Sequence, residues 1–342
     1  MRDANGRRLL SAAWTAVGVS FATTGPAQAH VKWFCAYDVV GTPRGLETVL
    51  CDDFETLVAL SLLALVVGGL FETTPFGAAL TRSLDRTTSW ARDNTDLLFR
   101  AVCGGFFVAL WSLGGIILTP ELTSANPALP WLQLAIALGL IWRGTLPVSA
   151  AGIVVLFGLA ANQYGAFHLA DYPIFLGLAA YFLLVALQRD LLGLRPLDVV
   201  RYAAAVTLMW ASVEKWAYPD WTFPLFIAHP SMTMGFEPEY FMKAAGAVEF
   251  ALAFALLCAP LVRRVAAILL TAAFVSAIFQ FGKIDAIGHA PIIVAMIAIA
   301  ADSATARRRA LALMPLGYGA ALAAFIGLYY GAHAALYGSS IL

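Results

Sequence analysis

Charge is what this sequence has least of. Asp, Glu, Lys and Arg make up 12% of its 342 residues, about half the share of an ordinary soluble domain. Acidic and basic residues balance at 21 each, so there is no basic excess of the kind that nucleic-acid binding requires. No P-loop, no dinucleotide-type GxGxxG, no CxxC and no internal repeat is present, which removes the common nucleotide and cofactor readings. What is there instead is apolar: 61% of the chain, a mean hydropathy of +0.80, and long uninterrupted runs such as 54–71 and 244–257. A soluble core has no room for that many apolar residues, whereas a bilayer demands helices of about 20 of them. The expected fold is all-α: a polytopic integral membrane helix bundle.

The first 29 residues read as a secretory signal peptide rather than as part of that bundle. Arg2, Arg7 and Arg8 form a basic start, residues 9–21 a short apolar stretch, Gly25-Pro26 a break, and Ala27-Gln28-Ala29 a small-x-small cleavage site. Hydropathy then predicts about ten spans, near 54–72, 97–118, 129–142, 145–162, 173–188, 198–217, 242–260, 263–281, 289–304 and 311–335. With the chain starting outside, Arg82, Arg86, Arg92, Arg100, Arg143, Arg189, Arg195, Arg201, Arg263, Arg264 and Arg307–Arg309 all fall on the cytoplasmic side. The outer side holds only Lys32, Arg44, Lys215, Lys243 and Lys283. That asymmetry obeys the positive-inside rule. It sets the localisation as a bacterial inner membrane, with the mature N-terminus and the C-terminus both periplasmic.

In this topology all 5 histidines lie on the outer side: His30, His168, His229, His289 and His333. Cleavage after Ala29 leaves His30 with a free amine beside its own ring, and those two nitrogens can chelate one metal ion. A second histidine completes a three-nitrogen, open-sided set that suits copper. The arrangement resembles the histidine brace of secreted and membrane copper proteins. His289 is the first candidate partner, then His168, with Asp171 as acceptor for its ring N–H, then His333; His229, beside Pro230, is the last. The expectation requires the His30 ring to come within roughly 6 Å of another histidine ring, since metal–nitrogen bonds are about 2 Å. Cys35 and Cys51 share the outer segment 30–53, where an oxidising periplasm can join them; such a loop closure contributes about 3 kcal/mol. Cys103 and Cys258 read as packed thiols.

A second polar group gathers at the outer ends of later spans: Glu214 and Lys215, then Lys243 and Glu249, then Lys283 and Asp285. Glu249 lies about 9 Å deeper than Lys243 along a helix. A carboxylate at that depth needs a partner, so Glu249 is expected to face the bundle and pair with Lys215 or Lys283. The alternative is an ion pair that only locks helices together. The aromatic segment 217–241 is expected to rest in the membrane interface.

Over residues 201–302 the chain resembles the DoxX-like family of four-helix membrane proteins. The resemblance rests on Arg201-Tyr202 opening a helix that ends at Glu214-Lys215, on Gly246-Ala247-Val248-Glu249, on the basic turn Arg263-Arg264 and on a final hairpin. It departs at Ser212-Val213-Glu214, where the family has a glycine shortly before its lysine. Some members are similar to subunits of quinone-linked sulfur oxidoreductases. The resemblance thus implies Lys215 and Glu249 as site residues and quinone as a membrane partner. Signal sequence, spans and resemblance together divide the chain into a signal peptide (1–29), a periplasmic segment (30–53), an N-terminal transmembrane module (54–190), a DoxX-like module (191–304) and a last helix (305–342). The functions that follow as expectations are a redox-linked copper protein, a copper or small-molecule transporter, and a non-catalytic subunit of a membrane oxidoreductase complex.

Overall fold

The structure, a computed structural model, describes residues 42–303 and 309–338. The signal sequence, His30, Lys32, Cys35, Arg307 and Arg308 lie outside the described residues. The described chain is helical: α1 Asp52–Glu72, α2 Pro75–Thr87, α3 Thr95–Leu113, α4 Leu129–Gly139, α5 Leu146–Tyr164, α6 Pro173–Leu187, α7 Pro196–Ala217, α8 Pro238–Ala255, α9 Pro260–Phe281, α10 Lys283–Ala301 and α11 Arg309–Tyr337, with short helical turns between them. Each of the segments read as a span contains a helix. Six helices among the described residues are long and apolar enough to cross a membrane, while α4 and α6 are apolar but shorter. Helices α7 and α8 have 22 and 18 residues, and carry the charges Asp198, Arg201, Glu214 and Lys215, and Glu239, Lys243 and Glu249. The molecule is thus a helical, membrane-embedded protein.

Local chemistry sets the helix ends. Asp52, Asp53 and Glu55 crowd the first turn of α1, where negative charge complements the helix dipole. The Thr74 hydroxyl accepts from Gly77 N at 3.1 Å to open α2, and the Glu237 carboxylate accepts from Tyr240 N at 2.8 Å to open α8, each meeting an N–H that a helix start leaves unpaired. Gly282, at φ +83, ends α9 in a conformation that a side chain would strain. The chain restarts at once, so Lys283 and Asp285 open α10 and share it with His289. The sequence placed that helix start six residues later, at His289; Pro291 lies inside the helix.

The chain forms two compact units. One comprises Thr87–Ala204 and Thr271–Ala301 among the described residues. There α5 packs on α4 and α6, and α3 on α4 and α10. Its core is aromatic, with Phe99, Phe106, Phe107, Phe175, Tyr181 and Phe182 buried. The Gln133 amide donates to the carbonyls of Ile116 and Ile117 at 2.6 and 2.9 Å, tying the α3–α4 connection to α4. The other unit comprises 42–86, 205–270 and the described residues after 301, with α1 packed on α8 and α11.

The second unit is turned inside out relative to a soluble protein. Leu60, Leu63, Val67 and Leu70 of α1 lie outward, Leu70 at 64% exposure, while Arg264 is 0% exposed. Apolar outside and charge inside is the pattern that lipid enforces. The sequence places Arg263 and Arg264 in a basic turn at the start of the 263–281 span. The helix begins three residues earlier, and both lie near its start, buried, with Arg264 Nη1 2.6 Å from Asp85 Oδ1 and Arg263 Nη2 3.2 Å from Asp302 Oδ2. Two cations oppose the dipole at a helix start. Glu72 offsets them by accepting from Leu261 N and Val262 N at 3.1 and 3.2 Å.

Candidate functional site

At the end of the second unit where α7 stops and α8 begins, the polar residues converge. Lys215 Nζ lies 2.9 Å from Glu249 Oε2, with the two side chains 3% and 14% exposed. Of the partners open to Glu249, the structure uses Lys215; Lys283 is exposed at the start of α10 in the other unit. The close approach of α7 to α8 depends on Gly246, where any side chain would collide with the Trp216 indole. Trp216 Nε1 then donates to the Lys243 carbonyl at 3.1 Å, and its ring packs against Phe54 and Phe250 at 5.0 and 5.9 Å between centroids. The turn before Trp216 thereby fixes the ammonium over Glu249. Glu214 is also buried, and its carbonyl accepts from Tyr218 N at 2.9 Å. The Tyr218 hydroxyl lies 3.0 Å from His333 Nε2. Burial, reinforced by the charge of Glu214, pushes the Tyr218 phenol well up, so it stays protonated.

A chain of charges runs beside this pair. Arg44 reaches Asp220 at 2.8 Å and Glu239 at 2.7 Å; Glu239 also takes Lys243 at 3.1 Å. Lys243 Nζ lies 3.3 Å from Cys51 Sγ. The backbone anchors the chain: Arg44 N donates to the Ala217 carbonyl at 2.9 Å, and the Tyr330 hydroxyl donates to the Arg44 carbonyl at 2.8 Å. The Arg44 hydrogen bond, helped by Lys243, holds the Glu239 carboxyl below its ordinary range against partial burial. Burial pushes the Cys51 thiol up, but the N–H groups of Phe54 and Asp53 and the Lys243 ammonium outweigh it, so the net shift is downward. Cys51 has no disulfide partner among the described residues; its expected partner Cys35 lies outside them. Cys103 and Cys258 are buried, as packed thiols are.

A separate group lies in the first unit. His289 Nδ1 is 3.0 Å from Asp285 Oδ2, one helical turn back, and the histidine ring packs on Phe274 at 5.2 Å. His168 is buried beside the Tyr164 and Tyr172 rings at 5.8 and 6.0 Å. Among the described residues no three His, Cys, Asp or Glu gather as the ligands of a metal ion. His168 and His289 sit against aromatic rings, and His333 against Tyr218 and Tyr337. The expected copper site joins one or two of these three to His30, which lies outside the described residues.

Sequence reasoning expected Lys215 as one of two partners of Glu249; it named Lys243, Asp285 and His289 without the contacts they make, and missed the Arg44–Asp220–Glu239–Lys243–Cys51 chain. The spacing of Glu239 and Lys243, four apart on one helix, is its only local signal; Arg44 and Cys51 join it through tertiary structure. The chain matches no family, no curated protein and no solved structure.

Proposed function

We propose that this chain is an inner-membrane protein that holds and exchanges a proton at the Lys215–Glu249 pair, in service of a redox reaction that uses quinone as its lipid-soluble partner. The observation that carries this reading is the pair itself: an ammonium and a carboxylate at 2.9 Å, withdrawn from water in a unit whose helices face lipid with leucine and valine. Intramembrane ionisable groups are costly and concentrate where protons, ions or substrates are handled. A charge-assisted hydrogen bond of this length lets one proton pass between Nζ and Oε2. The Arg44–Asp220–Glu239–Lys243 chain at the same end of the unit supplies a charged, partly exposed approach from the aqueous side. The quinone assignment rests on the DoxX-like resemblance at Lys215 and Glu249, and Glu214, beside Lys215, is the point at which this chain departs from that family.

In this reading the signal peptide is removed, the chain crosses the bilayer about ten times, and the Lys215–Glu249 end faces the periplasm. A copper ion held by the mature His30 and one of His289, His168 or His333 remains part of the proposal as a separate site. Intact mass and metal content of the purified protein check that part: loss of residues 1–29 together with one stoichiometric copper is the expected result.

The function itself is tested by reconstituting the full chain in liposomes with a quinone and an added two-electron reductant, and following the uptake of the two protons that each quinone takes on reduction to quinol. Wild type is expected to couple uptake to reduction, and Glu249→Gln to remove proton uptake while the protein stays folded. Equal proton uptake by Glu249→Gln and wild type would leave the pair as a structural lock in an accessory subunit.

A further inference from the structure

The second unit carries a groove of about 560 Å³ that the charged pair does not occupy. Its walls come from α1, α2, α8 and α9 and are apolar but for Ser61: Gly68 and Phe71 on one side, Ala251 and Ala255 on another, Val262 and Leu269 on a third, with Leu80 of α2 at one end. Small residues make the space. Along α1 the lining runs from Ser61 to Phe71, about 15 Å at the helical rise, so the groove is elongated along the helices. Its walls belong partly to helices apolar enough to span a membrane.

The end of the groove at Phe71, Leu80 and Leu261 is where the charges are. Helix α2 is amphipathic. Phe76, Leu80 and Leu84 recur every fourth residue, with Phe76 77% exposed. Arg82 and Arg86 stand exposed on the other face. A short helix with aromatic and leucine on one side and arginine on the other lies in the plane of a membrane interface. Asp85, the acid between the two arginines, is held by Arg264. Arg82 has no ion-pair partner among the described residues. The N-terminal N–H groups of α9 at this end are taken by Glu72, so a headgroup anion finds its cations on α2.

We infer that this groove binds one acyl chain of an anionic phospholipid, with the phosphate headgroup on the Arg82 face of α2. The lining fits a hydrocarbon chain and offers nothing for a polar ligand. The arginines supply the charge complementarity that selects an anionic headgroup over a zwitterionic one. The inference is independent of the proton-exchange reading, since it uses none of the same residues.

The test uses the full chain in bilayer nanodiscs containing a trace of phosphatidylglycerol with a photoreactive group on one acyl chain, or phosphatidylcholine with the same chain. Irradiation followed by peptide mapping locates the label. Wild type is expected to be labelled on the groove peptides of α1, α8 and α9, with phosphatidylglycerol favoured on the order of fivefold per arginine engaged. Arg82→Glu should bring the two lipids towards equal labelling. At Gly68 a Cβ would meet Val262 Cγ2 at 3.5 Å, an ordinary contact, so Gly68→Leu fills the groove from its floor and should remove the groove labelling. If Gly68→Leu does not fold, the label map of wild type and the lipid ratio of Arg82→Glu still decide. Equal labelling by both lipids in wild type overturns the proposal, as does label spread evenly over all lipid-facing helices. So does a groove occupied by an isoprenoid chain or by a second copy of the protein.

Discussion

In the unit built on 87–204 and 271–301, most of the ion pairs are made within one helix or its edge. Asp198 takes Arg195 and Arg201, Arg100 takes Asp96, and Asp285 takes His289, each three or four residues away. In the other unit Glu239 and Lys243 pair along one helix, but most pairs join segments far apart in sequence: Arg44 with Asp220 and Glu239, Lys215 with Glu249, Arg264 with Asp85, Arg263 with Asp302. Local pairs support a helix that would form anyway. Distant pairs fix which helix lies against which, and when buried they cannot be half removed without leaving a naked charge. The first unit is specified by aromatic packing and the second by buried charge, and it is the second that holds the candidate site.

The largest expected break is at the candidate pair. Glu249→Ala removes the carboxylate 2.9 Å from the buried Lys215 ammonium and should destabilise the protein by about 3–5 kcal/mol, read by reversible unfolding in bicelles. Lys215→Met combined with Glu249→Leu should recover most of that loss, because the pair is costly to bury and an apolar substitute is not. A deficit of the double variant equal to the sum of the single ones would contradict coupling.

Next comes the close approach that positions the pair. Gly246→Ala forces the Trp216 indole away and strains its bond to the Lys243 carbonyl. The expected cost is about 1–3 kcal/mol, with a change in tryptophan fluorescence; an unchanged spectrum would place Trp216 elsewhere. By contrast Arg195→Gln, at a pair whose arginine side chain is 42% exposed, should cost no more than about 1 kcal/mol by the same unfolding assay. A larger loss there would erase the difference between the units.

Acidity separates them more gently. The Glu239 carboxyl is held low in the folded state by Arg44 and Lys243. The stability it adds is therefore complete above its unfolded pKa and is lost as pH falls through the lower folded value. Melting temperature should drop across that acid range in wild type and less so in Glu239→Gln. The Cys51 thiol is lowered in part by Lys243, so alkylation of Cys51 should reach half its maximal rate below the ordinary thiol range. Lys243→Met should move that midpoint up; an unmoved midpoint would break the contact.

Much of this was legible before any coordinates. Apolar runs and arginine asymmetry located a helix in every expected span, because lipid imposes length and composition directly. Glu249 could be assigned a cationic partner because a lone carboxylate at that depth is too costly, and Lys215 was one of two lysines that satisfied the rule. The choice between Lys215 and Lys283 was not legible, since it depends on Gly246 admitting Trp216. Nor were the roles of Arg263 and Arg264: adjacent arginines beside an apolar run read as a basic turn unless Asp85 and Asp302 are known to meet them. A shared side of the membrane is a one-dimensional property, and it did not foretell that His168, His289 and His333 each pack against aromatic rings. Cys51 joined Lys243 across 192 positions of sequence, a pairing that no local pattern carries.

The most direct test of the claim that Lys215 and Glu249 work as a proton-exchanging pair, rather than as a lock, is the activity of the folded double variant Lys215→Met/Glu249→Leu. Its quinone-linked proton uptake in liposomes would be measured beside wild type at matched stability. The account predicts a folded protein with that uptake abolished. Full proton uptake in the apolar double variant would contradict it.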